Sequence, residues 1–201
     1  MCGRPIFLHM TSSRARGTLA LLCAALVGGC GLSRSEPSSI TTAASTRSAL
    51  TDGNVAATLI AANTADILAA ELALAKSRDA DVRSFATMLR TDHSAVTEAT
   101  TTLMTRLKVT PTDEAAAHEL RDTAAAKRLA MRDLEGFAFD TGYVASEVRY
   151  HRSLLATIDE VMLPGAQHPE LRALLVRVRP ANAAHLSHAV ALWAKLIARD
   201  R

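Results

Sequence analysis

The chain has 201 residues, which suits one domain with an appendage; 49% of them are hydrophobic but only 3% are aromatic. Alanine and leucine carry the apolar content, a bias that favours helix over sheet. The net charge of +3 and pI near 9.0 come from Arg4, Arg14 and Arg16. Without them 20 basic side chains face 20 acidic ones, which excludes a basic surface for nucleic acid. There is no Gly-rich phosphate loop, nucleophile elbow or cysteine pair, so no catalytic residue and no organic cofactor is assigned.

Residues 1–29 predict a secretory leader. Three arginines and no acid precede an apolar run, Thr18 to Val27, which ends at Gly28, Gly29 and Cys30; this is the order of a signal peptide. At about ten residues the run is too short to cross a bilayer, which takes roughly 20. Val27-Gly28-Gly29-Cys30 resembles a bacterial lipobox, in which the cysteine is lipidated and becomes the first mature residue. The other reading is an ordinary secreted protein in which Cys30 has no role. Gly31 after the cysteine, rather than an acid, points by resemblance to enterobacterial sorting to the outer membrane of a Gram-negative cell. Residues 30–51 are rich in Ser and Thr with no apolar period, and read as a tether that holds a domain of residues 52–198 clear of the membrane. Cys2 and Cys23 leave with the leader, so the core alone must stabilise that domain.

Thr51, Asp52, Gly53 and Asn54 offer capping groups for a first helix over about 54–77. Ile60, Ile67 and Leu74 define its expected inner face, with Glu71 among them. A polar break follows, and Asp79 or Asp81 can cap a second helix over about 80–107. On it, Phe85, Leu89, Val96 and Leu103 share a face at about 100° per residue, and Asp92 and His93 fall on that face. Pro111 closes this segment. Residues 113–134 predict a connecting helix with a thin stripe (Leu120, Ala124, Met131, Leu134), packed on a flank and ended by Gly136. A further helix runs from Phe137 to about Met162, with Val144, Val148, Leu155, Ile158 and Met162 inward and His151 within the stripe; Glu147 lies one turn earlier, towards its edge. Pro164, Gly165 and Pro169 close it. The last helix spans about 170–197, with a kink or break expected at Pro180. Leu174, Val178, Leu192 and Leu196 face inward with His185 among them, while His188 points to solvent. Long helices, short connections and no strand signal predict an all-α antiparallel four-helix bundle with an extra connecting helix.

Polar groups on apolar stripes must find partners or lose free energy through desolvation. The inventory is Glu71, Asp92, His93, Glu147, His151 and His185. Di-iron bundles use four glutamates with two histidines at i, i+3; only two glutamates qualify here, which argues against a full di-iron centre. Two readings remain. In the first, which the sequence favours, the histidines and glutamates pair with each other and with Asp140 or Tyr143 in a self-satisfied layer that fixes the register of the helices. In the second, some of Glu71, His93, Glu147, His151 and His185 hold a single transition-metal ion. Met88, Met104, Met131 and Met162 are scattered, and read as gap-filling core rather than a copper set.

Glu71, Phe85, Asp92-His93, Phe139-Asp140 with Tyr143, His151, and Pro180 with His185-Leu186 resemble, in order and spacing, the bacterial envelope family called domain of unknown function 4142. The resemblance covers about residues 52–197. It implies a ferritin-like up-down bundle, and it marks Glu71, Asp92, His93, Asp140, Tyr143, His151 and His185 as the matching polar positions; members are often labelled outer-membrane or exported proteins. It implies no activity, because fold does not carry function. The expected role is that of a lipid-anchored, non-catalytic envelope component, structural or stress-related, acting through its surface or an envelope protein partner. The alternative is a metal-binding or oxidative-stress protein.

Overall fold

The computed structural model describes residues 50–200, and over them the chain is all-helical. The expected leader, Cys30 and nearly all of the tether lie outside the described residues. Helix α1 is Asp52–Lys76, α2 Ala80–Leu107, α3 Ala115–Met131 and α4 Gly136–Thr157; a π-helical turn, Ile158–Met162, and the single turn α5, Leu163–Gly165, lead to α6, Pro169–Arg199.

The caps fall where the sequence offers them. The Thr51 side chain accepts from the Asn54 N–H, and the Asn54 side chain accepts from the Thr51 N–H, closing a capping box. Asp79 Oδ1 accepts from the N–H groups of Asp81 and Val82 at 2.9 and 3.1 Å, satisfying two orphan donors at the start of α2. Gly136 opens α4 with φ 53°, a left-handed backbone that costs glycine nothing. Of the kink or break expected at Pro180, the break is absent: α6 runs through it without ending. Pro180 lies exposed on the outer side of the helix, where its ring needs no place in the core.

The contacts close a ring: α1 packs on α2, α2 on α6, α6 on α4 and α4 on α1, while α3 lies on the α1 and α4 flank. Two apolar clusters fill the ring. One gathers Leu59, Leu103, Met104, Leu154, Ile158 and Leu175; the other gathers Phe85, Leu89, Phe139, Val144, Leu192 and Leu196. Burying each such side chain stabilises the fold by about 1.5–3 kcal/mol. Along α1 and α6 the chain passes from the first cluster to the second, and along α2 and α4 it passes back. Each helix is therefore antiparallel to the ring neighbours it touches. Between the clusters every ring helix carries buried polar side chains: Asn63 and Asp66 on α1, His93 on α2, Glu147 and His151 on α4, Asn182 and His185 on α6.

Candidate metal centre

Three imidazoles meet in the middle of this polar layer. The ring centroids of His93, His151 and His185 are 5.2–5.6 Å apart, pair by pair, so the rings form a near-equilateral triangle contributed by three helices. One nitrogen from each lies within 4.8 Å of the other two, and a second set, Asp66, Glu147 and His151, meets the same limit. All five side chains are buried. An ion with bonds of roughly 2.0–2.2 Å holds its ligands about 3–3.5 Å apart, inside that envelope.

Each imidazole is fixed through its other nitrogen. His93 Nδ1–H donates to Asn63 Oδ1 at 2.7 Å, and Asn63 is itself oriented by donating to the Leu59 carbonyl at 2.6 Å. His151 Nδ1–H donates to the Glu147 carbonyl one turn back at 3.1 Å. His185 Nε2–H donates to Asp92 Oδ2 at 2.9 Å. An amide, a backbone carbonyl and a carboxylate thus set three tautomers, which leaves His93 Nε2, His151 Nε2 and His185 Nδ1 turned inward. These three atoms, both Asp66 oxygens, Glu147 Oε2 and the Tyr143 hydroxyl are buried without an aligned hydrogen-bond partner. Asp66 Oδ2 lies 2.5 Å from His93 Nε2 and 3.5 Å from His151 Nε2, so this carboxylate sits against both inner nitrogens.

The electrostatics set the members of the cluster apart. Burial pushes the His151 imidazole down to about 4, against the pull of Asp66, and the charges of His93 and His185 act with burial. Burial also lowers His185, opposed by its bond to Asp92. Both rings therefore keep a free lone pair at neutral pH. At Asp66 burial favours the acid, but the charge and hydrogen bonding of His93, helped by His151, outweigh it and hold the carboxyl well below its ordinary range. Glu147 goes the other way: burial, then the charge of Asp66, raises it well above the usual value. The two acids are thus pushed apart, Asp66 towards the carboxylate and Glu147 towards the acid, as expected when two carboxyl groups share a buried site. Tyr143 is raised by burial, then by Glu147 and Asp66, and stays a neutral phenol.

Of the expected residues, His93, Glu147, His151 and His185 meet. Glu71 does not; it is exposed on α1. The inner face of that helix is set by small residues, Ala56, Ala62, Ala70 and Ala73, which let α2, α3 and α4 approach, while Ile60, Ile67 and Leu74 are left half-buried at its margins. Asp66, about 140° around the helix from Glu71, takes the inward place. Asp92 is half exposed at the rim and serves His185. Asp140 is buried but lies beside Ser77 and Asp79, at the α1–α2 connection rather than in the layer. His188 is exposed as expected, its ring edge-on to Phe85. Asn63 and Asp66 escaped the sequence reading. Their trace is a polar i, i+3 pair in the middle of an alanine-rich helix, where nothing else demands a polar side chain.

The chain matches the family described as Domain of unknown function (DUF4142) over residues 37–192. It belongs to that family. No curated protein and no solved structure matches it. Within the family match lie all five converging side chains, together with Asn63 and Asp92.

Proposed function

We propose that this DUF4142 protein binds one transition-metal ion inside its helical domain, with His93, His151, His185 and Asp66 as ligands and Glu147 beside them. The observation that carries the reading is the convergence of three buried imidazoles, each fixed through one ring nitrogen to an acceptor, with Asp66 and Glu147 in the same cluster. Metal-binding histidines are held in this way by outer-shell acceptors. Asp66 lies against the inner nitrogens of His93 and His151, but His185 Nδ1 is buried with no partner, and an orphan buried polar group costs about 1–3 kcal/mol that a bound ion would offset. Imidazole nitrogens suit iron, zinc, copper or nickel, and the carboxylates bring manganese into range.

The ring α1–α2–α6–α4, antiparallel at each contact and with α3 as the crossover segment, supports a ferritin-like four-helix bundle with an added flanking helix. The lipobox-like Val27-Gly28-Gly29-Cys30 supports lipid anchoring at the outer membrane, with the domain held on the periplasmic side by the Ser/Thr-rich tether.

The test is metal content by mass spectrometry of the purified protein and of a His93→Ala/His151→Ala variant. The reading requires close to one metal per chain in the first and none in the second. Equal content in both would sink it.

A further inference from the structure

A cavity of about 260 Å³ lies between α1, α3 and α4 and opens to solvent. Asp66 and Glu147 form part of its wall, so it reaches the carboxylate side of the histidine triangle. Much of the remaining wall is apolar, with Ala69, Leu120, Ala124 and Leu154 among its residues, and two cations, Lys127 and Arg128, also line it. Both are half-buried. Among the described residues neither cation makes an ion pair or a hydrogen bond; the Lys127 Nζ is held only over the Tyr150 ring, 5.0 Å from its centroid. The Tyr150 hydroxyl is committed elsewhere, donating to the Ala62 carbonyl at 2.5 Å.

Half-buried cations without a carboxylate partner lose hydration and recover little of it. A face-on aromatic contact contributes only about 0.5–2 kcal/mol. An anion entering the cavity would complete their pairing. A phosphate-like polyanion fits poorly, because Asp66 and Glu119 also line the space and repel added negative charge. The apolar wall offers nothing to a second charged group. A single carboxylate head with a short apolar tail matches both halves of the lining.

We propose that this cavity binds a small monocarboxylate, its head at Lys127 and Arg128 and its tail along the apolar wall of Ala69, Leu120, Ala124 and Leu154. The proposal rests on the metal reading in one respect: a cation held by Asp66 offsets the negative charge at the inner end of the cavity, so loading the centre tightens binding.

The experiment is calorimetric titration of the purified full chain with hexanoate, and with hexan-1-ol as its neutral counterpart, in zinc-free and zinc-loaded protein. Lys127→Gln and Ala124→Leu are titrated in parallel, after circular dichroism has confirmed their helix content. We expect one hexanoate per chain, with hexan-1-ol weaker by about tenfold, the value of one charge-assisted contact. Lys127→Gln should weaken hexanoate by a similar factor and leave hexan-1-ol unchanged, while Ala124→Leu, which fills the cavity, should weaken both. No binding to the wild type, equal affinity for the alcohol, or indifference to Lys127→Gln would overturn the proposal. Metal content of the same samples separates the two claims. Lys127-dependent hexanoate binding in a protein that takes no metal would leave the cavity standing and remove the centre; a metal-loaded protein that ignores hexanoate would do the reverse.

Discussion

Replacing Asp92 by alanine separates a metal centre from a structural polar layer, because Asp92 lies outside both. Its side chain is 48% exposed, and its contact with the layer is the bond to His185 Nε2 at 2.9 Å. In the metal-free protein the loss is one rim hydrogen bond, about 0.5–1.5 kcal/mol, reduced where water takes its place. In the loaded protein the imidazole also loses the acceptor that fixes its tautomer, and such outer-shell losses typically cost 10–100-fold in metal affinity. That factor corresponds to about 1.4–2.8 kcal/mol. With metal in excess, bound metal stabilises the fold in proportion to the logarithm of its affinity, so the extra cost appears only in the loaded state. For a domain of this size 1 kcal/mol moves Tm by roughly 2–4 °C. The loaded variant should therefore lose roughly 3–11 °C more than the metal-free variant, from the same conversion. The assay is thermal unfolding with and without metal, beside chelator competition for Kd. Asp92→Asn keeps an acceptor oxygen and should recover most of the affinity. Equal Tm losses in both states, with Kd unchanged, would make His185 a structural residue and refute the argument.

Glu71→Ala should leave metal affinity unchanged and stability within about 0.5 kcal/mol, as for exposed positions generally; chelator competition and urea unfolding check both. The metal-free fold should lose stability as pH falls from about 6.5 to about 4, because unfolded His151 takes up a proton that the buried ring, held near 4, refuses. Over that span the loss approaches about 3 kcal/mol. Glu147 works in the opposite sense, since its raised value lowers stability as pH climbs above the ordinary glutamate range. Urea unfolding of wild type against His151→Gln across pH isolates the histidine contribution. Gly53→Ala should destabilise by about 1–3 kcal/mol, since a Cβ there would stand 2.6 Å from the Thr110 carbonyl oxygen. Phe85→Ala, which empties a fully buried site, should cost about 3–5 kcal/mol. Both are read by chemical denaturation.

Helix positions were legible because periodicity and caps act locally. Thr51 and Asp79 mark boundaries through capping side chains and Pro111 and Gly136 through their backbones, and the second helix falls on residues 80–107 as its stripe predicts. Three of the site histidines were legible for the same reason: a lone imidazole on an apolar stripe stands out. The inner face of α1 was not. Large residues at a seven-residue interval, Ile60, Ile67 and Leu74, point to one side, but a helix packed against α2, α3 and α4 turns its alanines to the closest contacts. Which side wins depends on how near the neighbours come, and that is a tertiary property. The error carried Glu71 into the site and left Asp66 out. Asp140 misled differently: its position on α4 is inward, but along the helix axis it lies near the α1–α2 connection, a distance that a face-by-face reading does not see. Whether the polar layer satisfies itself was equally beyond periodicity, because it depends on which ring nitrogen meets which acceptor.

The most direct test of the metal centre is an anomalous diffraction map from crystals grown with metal, collected at its absorption edge. The account predicts a single peak bounded by His93 Nε2, His151 Nε2, His185 Nδ1 and Asp66, at bonding distance from the three nitrogens. A peak elsewhere, or hydrogen-bonded water alone at that point under saturating metal, would contradict it and return the histidines to a structural role.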